Sequence, residues 1–227
     1  MIEHRRSSAA RVSICFHGVG VPGPGIDSGA ADYFVSRDVF LAVLDEVMQH
    51  PSVDLTFDDG YASDVDIVLP ALSERGLRAR FFPLAGRLHS PGYVDAVGVR
   101  ALASAGMALG SHGMRHRSWR GLDAASTREE LAVARSVIAG AAGQPVTSVA
   151  CPFGAYDRHV LAALREHGYS LVFTSDRRRA RAGAWLQPRY SIRRNDTVRT
   201  VRDDILAPQS LHARMRTGVA GRVKALL

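Results

Sequence analysis

The segment Thr56-Phe57-Asp58-Asp59-Gly60 puts two carboxylates side by side at the end of an apolar, β-prone run, and a glycine follows at once. Adjacent acids repel each other and are costly to bury. A core has no use for the pair unless a cation or a proton stands between them. The missing ligands are sought in Gly110-Ser111-His112-Gly113-Met114-Arg115-His116. Histidines four apart are expected on one face of a helical turn, about 6 Å between Cβ atoms, where both imidazoles reach one ion. Asp59 with His112 and His116 then gives two imidazoles and a carboxylate, the open set of a catalytic zinc site. Iron, cobalt and manganese use similar sets. Asp58 is left free to act as general base beside a bound water.

Strand-like and helix-like segments alternate around these residues. Strands are expected over 11–17, 52–57, 77–84, 107–111, 146–152, 169–174 and 186–192. Ser36 is a plausible N-cap for a helix running to about His50, with apolar residues at helical spacing. Further helices are expected over 64–75, with Gly76 at its C-terminal turn, over 93–105, and from Asp157 to Gly168. Ser126-Thr127-Arg128-Glu129-Glu130 offers two overlapping capping boxes for a helix that ends near Gly143. Amphipathic segments at 198–206 and 211–227 close the chain. This alternation means parallel strands joined by crossovers. About seven such units suit a (β/α) barrel better than an open doubly wound sheet, and a barrel keeps its chemistry at the carboxyl ends of its strands. His17, Asp58-Asp59, His112 and the Pro152-Phe153-Gly154 turn all fall there. Residues 1–227 read as a single domain, with no internal repeat. The glycine-rich stretch 18–29 lacks the strand-to-helix frame of a nucleotide loop and reads as a flexible loop over the site. Trp185 either lines the groove or packs in the core.

Thr56-Phe57-Asp58-Asp59-Gly60 and Ser111-His112-Gly113-Met114-Arg115-His116 resemble the first two motifs of the polysaccharide deacetylase family, the NodB-homology carbohydrate esterases. Cys151-Pro152-Phe153-Gly154-Ala155-Tyr156-Asp157 resembles the third. The resemblance spans roughly residues 11 to 195. It implies a distorted (β/α) barrel, Asp58 as catalytic base, and Asp59, His112 and His116 as ligands of a divalent metal, usually zinc, with cobalt as an alternative. It further implies that the Phe153 backbone N–H donates to the oxyanion. There are three departures. Gly113 stands where the family usually has Ser or Thr. Val149-Ala150-Cys151 lacks the arginine that orients the base, and Arg189 is the candidate substitute. The late-strand histidine that serves many members as general acid has no clear counterpart, because His212 lies in a helix-like segment and reads as surface. Phe16-His17-Gly18-Val19 instead resembles the subset that carries this acid near the N-terminus, which points to His17.

The expected activity is metal-dependent removal of an N-acetyl group from an amino sugar or glycan, giving acetate and an amine. An O-acetyl esterase, a deformylase and a catalytically degenerate glycan binder are the alternatives. The substrate could be free, or linked to a nucleotide or a lipid phosphate. The formal net charge is +7, and Lys224 is the only lysine. The arginines at 177–181, 189, 193 and 194 form either an anion-binding face or a solvated basic surface. Nucleic-acid binding would rest on charge alone: aromatics are 7% of the chain and form no repeating platform. Cys15 and Cys151 make no disulfide framework and read as small buried hydrophobes. No apolar run approaches the ~20 residues that span a bilayer. The polar, basic N-terminus has no apolar signal core, so a cytoplasmic location is the expectation.

Overall fold

The computed structural model describes residues 10–26 and 28–207. His212 and the expected segment at 211–227 lie outside them. Eight short strands build the barrel wall: β1 (Ala10–Phe16), β2 (Val53–Asp59), β3 (Ala79–Pro83), β4 (Ala108–Leu109), β5 (Ser148–Ala150), β6 (Leu171–Thr174), β7 (Leu186–Pro188) and β8 (Tyr190–Ser191). They run parallel in the order β8-β1-β2-β3-β4 and, separately, β7-β6-β5. Two features join the arcs. Ser111, just past β4, makes a parallel bridge to Val149 of β5. The stretch from Leu186 to Ser191 pairs first with β6 and then, one residue later, with β1. Counting that stretch once gives seven strand positions, a distorted (β/α) barrel. The distortion has a local cause: β4 is two residues long and meets β5 through a single bridge.

The pleat sorts side chains by their period of two. Ile14, Phe16, Leu55, Phe57, Phe81, Leu109, Tyr190 and Ile192 join the main apolar core beneath the helices. Phe57 stacks between Phe16 and Phe81, with ring centroids 5.6 and 4.8 Å away. Burying one such ring is worth about 1.5–3 kcal/mol. The alternate positions, Ser13, Cys15, Thr56, Asp58, Phe82, His112, Ser148 and Arg189, are buried on the other face, inside the barrel. A β-carbon on Gly110 would collide with the Phe82 ring there. The barrel interior is thus partly polar, and the phase of each strand decides which side chains reach it.

The helix Arg37–Val47 is capped by Ser36, whose hydroxyl accepts the Val39 N–H at 3.2 Å. The helix expected from Ser126 begins earlier, at Ala124, because the Asp123 carboxylate accepts the Ser126 N–H at 2.7 Å. That correction frees Glu130 from capping and turns it into the protein. Gly143 closes the helix Ala134–Ala142 in a left-handed conformation. Trp185 packs in the second apolar cluster, and its indole N–H donates to the Tyr169 carbonyl at 2.7 Å. Within the stretch expected to be a loop over the site, Gly18–Val19 pairs with Phe34–Val35, and Gly29 lines the barrel mouth. Cys15 and Cys151 are both buried, and neither forms a disulfide among the described residues. Among the described residues no helix is long and apolar enough to cross a membrane.

Candidate active site

The carboxyl ends of the strands open into a cavity of about 520 Å³. His17, Asp58, Asp59, His112, His116 and Phe153 all line it. Sequence separations of up to 136 positions are thereby collapsed into one site.

Asp58 ends the inward-facing row of β2. Its Oδ1 and Oδ2 accept hydrogen bonds from Nη1 and Nη2 of Arg189, both at 2.7 Å. Arg189 is 0% exposed. Its Nη1 also donates to the Thr56 hydroxyl at 3.1 Å, and its Nε–H to the Thr174 carbonyl at 3.2 Å. The rings of Phe82 and Phe173 lie 5.5 and 5.6 Å from its central carbon. This bidentate fork in a dry, aromatic setting is the geometry for which arginine is suited and lysine is not. Burial alone would raise the Asp58 carboxyl. The Arg189 charge and hydrogen bonds, helped by His112 and His17, overcome that and hold it below the usual carboxylate range. Asp58 therefore stays ionised, with lone pairs left to accept a proton. A sequence signal for Arg189 existed: Gln187, Arg189 and Ser191 alternate with apolar Leu186, Pro188, Tyr190 and Ile192, which assigns them one face.

Asp59, the next residue, has φ +73°, so its side chain leaves the strand in a different direction from that of Asp58. One Asp59 oxygen, Oδ1, lies 3.5 Å from His112 Nε2 and 3.4 Å from His116 Nε2. The same oxygen is buried without a hydrogen-bond partner among the described residues. Ligands about 2.05 Å from a tetrahedral cation stand about 3.3 Å apart, so the observed spacing fits one divalent ion. The histidine chemistry fits as well. His112 Nδ1 is 2.9 Å from the Ala150 carbonyl. A carbonyl can only accept, so Nδ1 carries the proton and Nε2 presents its lone pair. Burial lowers the His112 pKa, against the pull of Asp58 and Asp59, which favours the neutral ring that a metal ligand needs. A second group, Cys15, His17 and Asp58, is equally compact but does not fit a cation. Burial pushes the Cys15 thiol up, away from the thiolate form, and Asp58 is already committed to Arg189.

The turn that joins the two histidines is not helical, contrary to expectation. Residues 112–117 form an irregular bend. Gly113 at φ +85° and His116 at φ +50° bring the imidazoles to a 5.2 Å centroid separation. Glu130 holds this bend, and sequence reasoning missed it. Its fully buried Oε2 accepts the Met114 N–H at 2.7 Å, the Arg115 N–H at 3.4 Å and the Trp119 indole N–H at 3.3 Å. From the other side, the Ala85 and Gly86 N–H groups donate to the Gly113 and Met114 carbonyls at 2.9 and 3.0 Å. A β-carbon on Gly113 would stand 2.5 Å from Glu130 Oε2. Gly113 and the carboxylate therefore occur together: an acid from a distant helix braces the bend at the position where a hydroxyl was expected.

Phe153 closes the His116 side of the cavity. It is 67% exposed, with φ +58°, and its ring lies 4.4 Å from that of His116. Asp59, His116, Phe153 and Arg177 all have positive φ and all line the cavity. Each such residue costs about 1–3 kcal/mol, and strain of this kind collects at functional sites. His17 lines the same cavity, with a ring nitrogen within 4.8 Å of an Asp58 oxygen. Burial lowers its pKa, and the charges of Asp59 and Asp58 offset this only in part. Its ring lies 4.7 Å from that of Tyr33. Asp64, buried behind the pair, is pushed well up by burial and by the Asp59 and Asp58 charges.

Three comparisons bear on this geometry. Residues 45–172 match the family model for polysaccharide deacetylase. YxkH of Bacillus subtilis is 25% identical over 122 residues, which is 54% of this chain and 44% of that protein. The match thus spans less than half the length of that relative. Among solved structures, the Streptococcus pyogenes deacetylase PplD in complex with acetate superposes with a TM-score of 0.77 at 18% identity, over 89% of this chain and 100% of that one. IcaB from Ammonifex degensii gives 0.70 at 23% identity, over 87% and 97%. At these identities the two structures speak for the fold. The family model covers more than half of the residues, including the acid pair, both histidines and Phe153, and on that ground the chain belongs to the polysaccharide deacetylase family.

Proposed function

We propose that the protein is a metal-dependent hydrolase that removes an N-acetyl group from an amino sugar or glycan, releasing acetate and a free amine. One observation carries the reading. Two adjacent carboxylates have been given separate environments: Asp58 is held by Arg189, while Asp59 turns a partnerless oxygen toward two imidazole nitrogens. A site needs that division only if one acid binds a cation and the other handles a proton. Zinc or cobalt, held by Asp59, His112 and His116, would supply Lewis-acid polarisation of the acyl oxygen and a water acidic enough for a base as weak as Asp58.

Asp58 takes the proton of the attacking water. Arg189 keeps that carboxylate ionised and aimed, which is a positioning role. The Phe153 N–H, on the His116 side of the cavity, is the donor for the developing oxyanion. His17, beside Asp58 and against Tyr33, gives a proton to the departing nitrogen, and it must be in its cationic form to do so.

Acetate release from N-acetylglucosamine oligomers by the zinc- or cobalt-loaded protein tests the reading, with acetylxylan and formylated sugars as the ester and formyl arms. Asp58→Asn and His17→Ala are expected to lose most turnover. Full activity in either variant, or after exhaustive chelation, would overturn these roles. Hydrolysis of the ester alone would move the substrate to the O-acetyl class.

A further inference from the structure

We propose that the cavity takes an acylated sugar bearing a negative group, a phosphate or a carboxylate, on the leaving-amine side, and that Arg177 and Arg193 hold that group. The inference rests on the deacylase reading above.

The late arginines, which look alike in sequence, separate in the structure. Arg189 is the buried partner of Asp58. Arg179 donates to the carbonyls of Leu206 and Ala207 at 2.9 and 2.8 Å. Arg11, Arg75, Arg115 and Arg202 pair with surface carboxylates. Arg177 and Arg193 are placed differently. Both line the cavity, and among the described residues neither guanidinium has a carboxylate within ion-pairing distance. Arg177 donates through Nη1 to the Ser191 carbonyl at 3.0 Å and stands 5.9 Å from the Tyr190 ring. Arg193, two residues past Ser191, lies 5.4 Å over the Tyr33 ring. Loops after β6 and β8 thus bring two cations to one wall.

Both are anchored through the backbone. The Arg177 N–H donates to the Arg189 carbonyl at 2.9 Å, and its φ of +48° is a strained value for a non-glycine residue. The Arg193 N–H donates to Asp196 Oδ2 at 2.8 Å. The acids that share the cavity cannot neutralise them, since Asp58 is taken by Arg189 and Asp59 faces the histidines. Arg87, over Tyr93, also lines the cavity.

Such a wall gains nothing from a neutral glycan. An anion gains charge-assisted, forked hydrogen bonds and is drawn in by the field of the cleft. The side matters as well. Arg193 reaches the cavity over Tyr33, and Tyr33 packs on His17, the residue assigned to the leaving nitrogen. The negative group therefore belongs to the amino sugar, not to the acyl group.

The test compares kcat/KM of the metal-loaded enzyme on neutral N-acetylglucosamine and its oligomers with that on N-acetylglucosamine 1-phosphate, UDP-N-acetylglucosamine and N-acetylmuramic acid. These charged arms separate a sugar phosphate, a nucleotide diphosphate and a carboxylate. At least one charged substrate is expected to be favoured by about tenfold or more, less so at high salt. The ratio of charged to neutral turnover is expected to fall about tenfold in Arg177→Gln/Arg193→Gln, with folding checked by melting temperature. Equal or better turnover of neutral substrates, or an unchanged ratio in the double variant, would overturn the inference and leave the deacylase reading standing. If no substrate releases acetate, the deacylase reading fails. Calorimetric titration of glucosamine 1-phosphate against glucosamine then decides the anion site: tighter binding of the phosphate that is lost in the double variant supports it, and equal binding refutes it.

Discussion

Arg189→Met removes the guanidinium that satisfies both oxygens of a fully buried carboxylate while filling much of the same volume between Phe82 and Phe173. The cost is that of stranding one half of a buried ion pair, about 3–5 kcal/mol. At about 2–4 °C per kcal/mol for a domain of this size, the metal-free protein should melt about 6–20 °C lower at pH 7. The pH dependence makes the test specific. In the parent protein Asp58 has a folded pKa below its unfolded one, because Arg189 outweighs burial. Its contribution is therefore present above the ordinary carboxylate pKa of about 4 and is lost as pH falls through the depressed value. In the variant, burial is left as the largest influence and the folded pKa rises above the unfolded one. Stability associated with Asp58 is then present below about pH 4 and is lost as pH rises through the folded pKa. The gap between the two melting temperatures should be smaller near pH 4 than at pH 7, and Asp58→Asn should recover part of it in the Arg189→Met background. Differential scanning calorimetry on chelated protein reads all of this. A drop of less than about 3 °C at pH 7, or one equally large at pH 4, would refute the account of Arg189 as the charge that keeps Asp58 ionised.

Four further outcomes are expected. Zinc at a hundred times its Kd should stabilise the protein by about 2.7 kcal/mol, and Asp59→Asn or His116→Ala should abolish the thermal shift; an undiminished shift would move the metal elsewhere. Glu130→Ala should weaken zinc binding by about 10–100-fold in a competition titration, although Glu130 touches no ligand atom. Gly113→Ala should lower both zinc affinity and melting temperature, because the new methyl meets Glu130 at 2.5 Å in a left-handed turn; an unchanged affinity would rule out the bracing role. The alkaline limb of the kcat/KM profile should lie on the acid side of the ordinary histidine range, since burial lowers the His17 pKa and the acid works only when protonated; a limb that persists unchanged in His17→Ala would assign it to another group.

The sequence by itself carried everything that depends on neighbours along the chain. Asp58 and Asp59 are adjacent, His112 and His116 are four apart, and strands with apolar alternation follow helices at barrel spacing. Those facts rest on covalent connection and on the period of the pleat, so no fold is needed to read them. The local reading failed where a partner lay far away. The histidine bend was expected to be helical, but the chain had to meet Glu130, and the positive φ of Gly113 and His116 follows from that contact. Glu130 itself reads as a capping residue until Asp123 takes the cap and turns it inward. Arg189 could be ranked as a candidate, yet only barrel closure sets its fork on a carboxylate 131 positions earlier. The same closure divides the late arginines into a core residue, a helix-end anchor and two cations beside Ser191. Side-chain types and short spacings are local quantities. The desolvation and pairing of a charge depend on whatever the rest of the chain packs around it, and only the tertiary structure decides that.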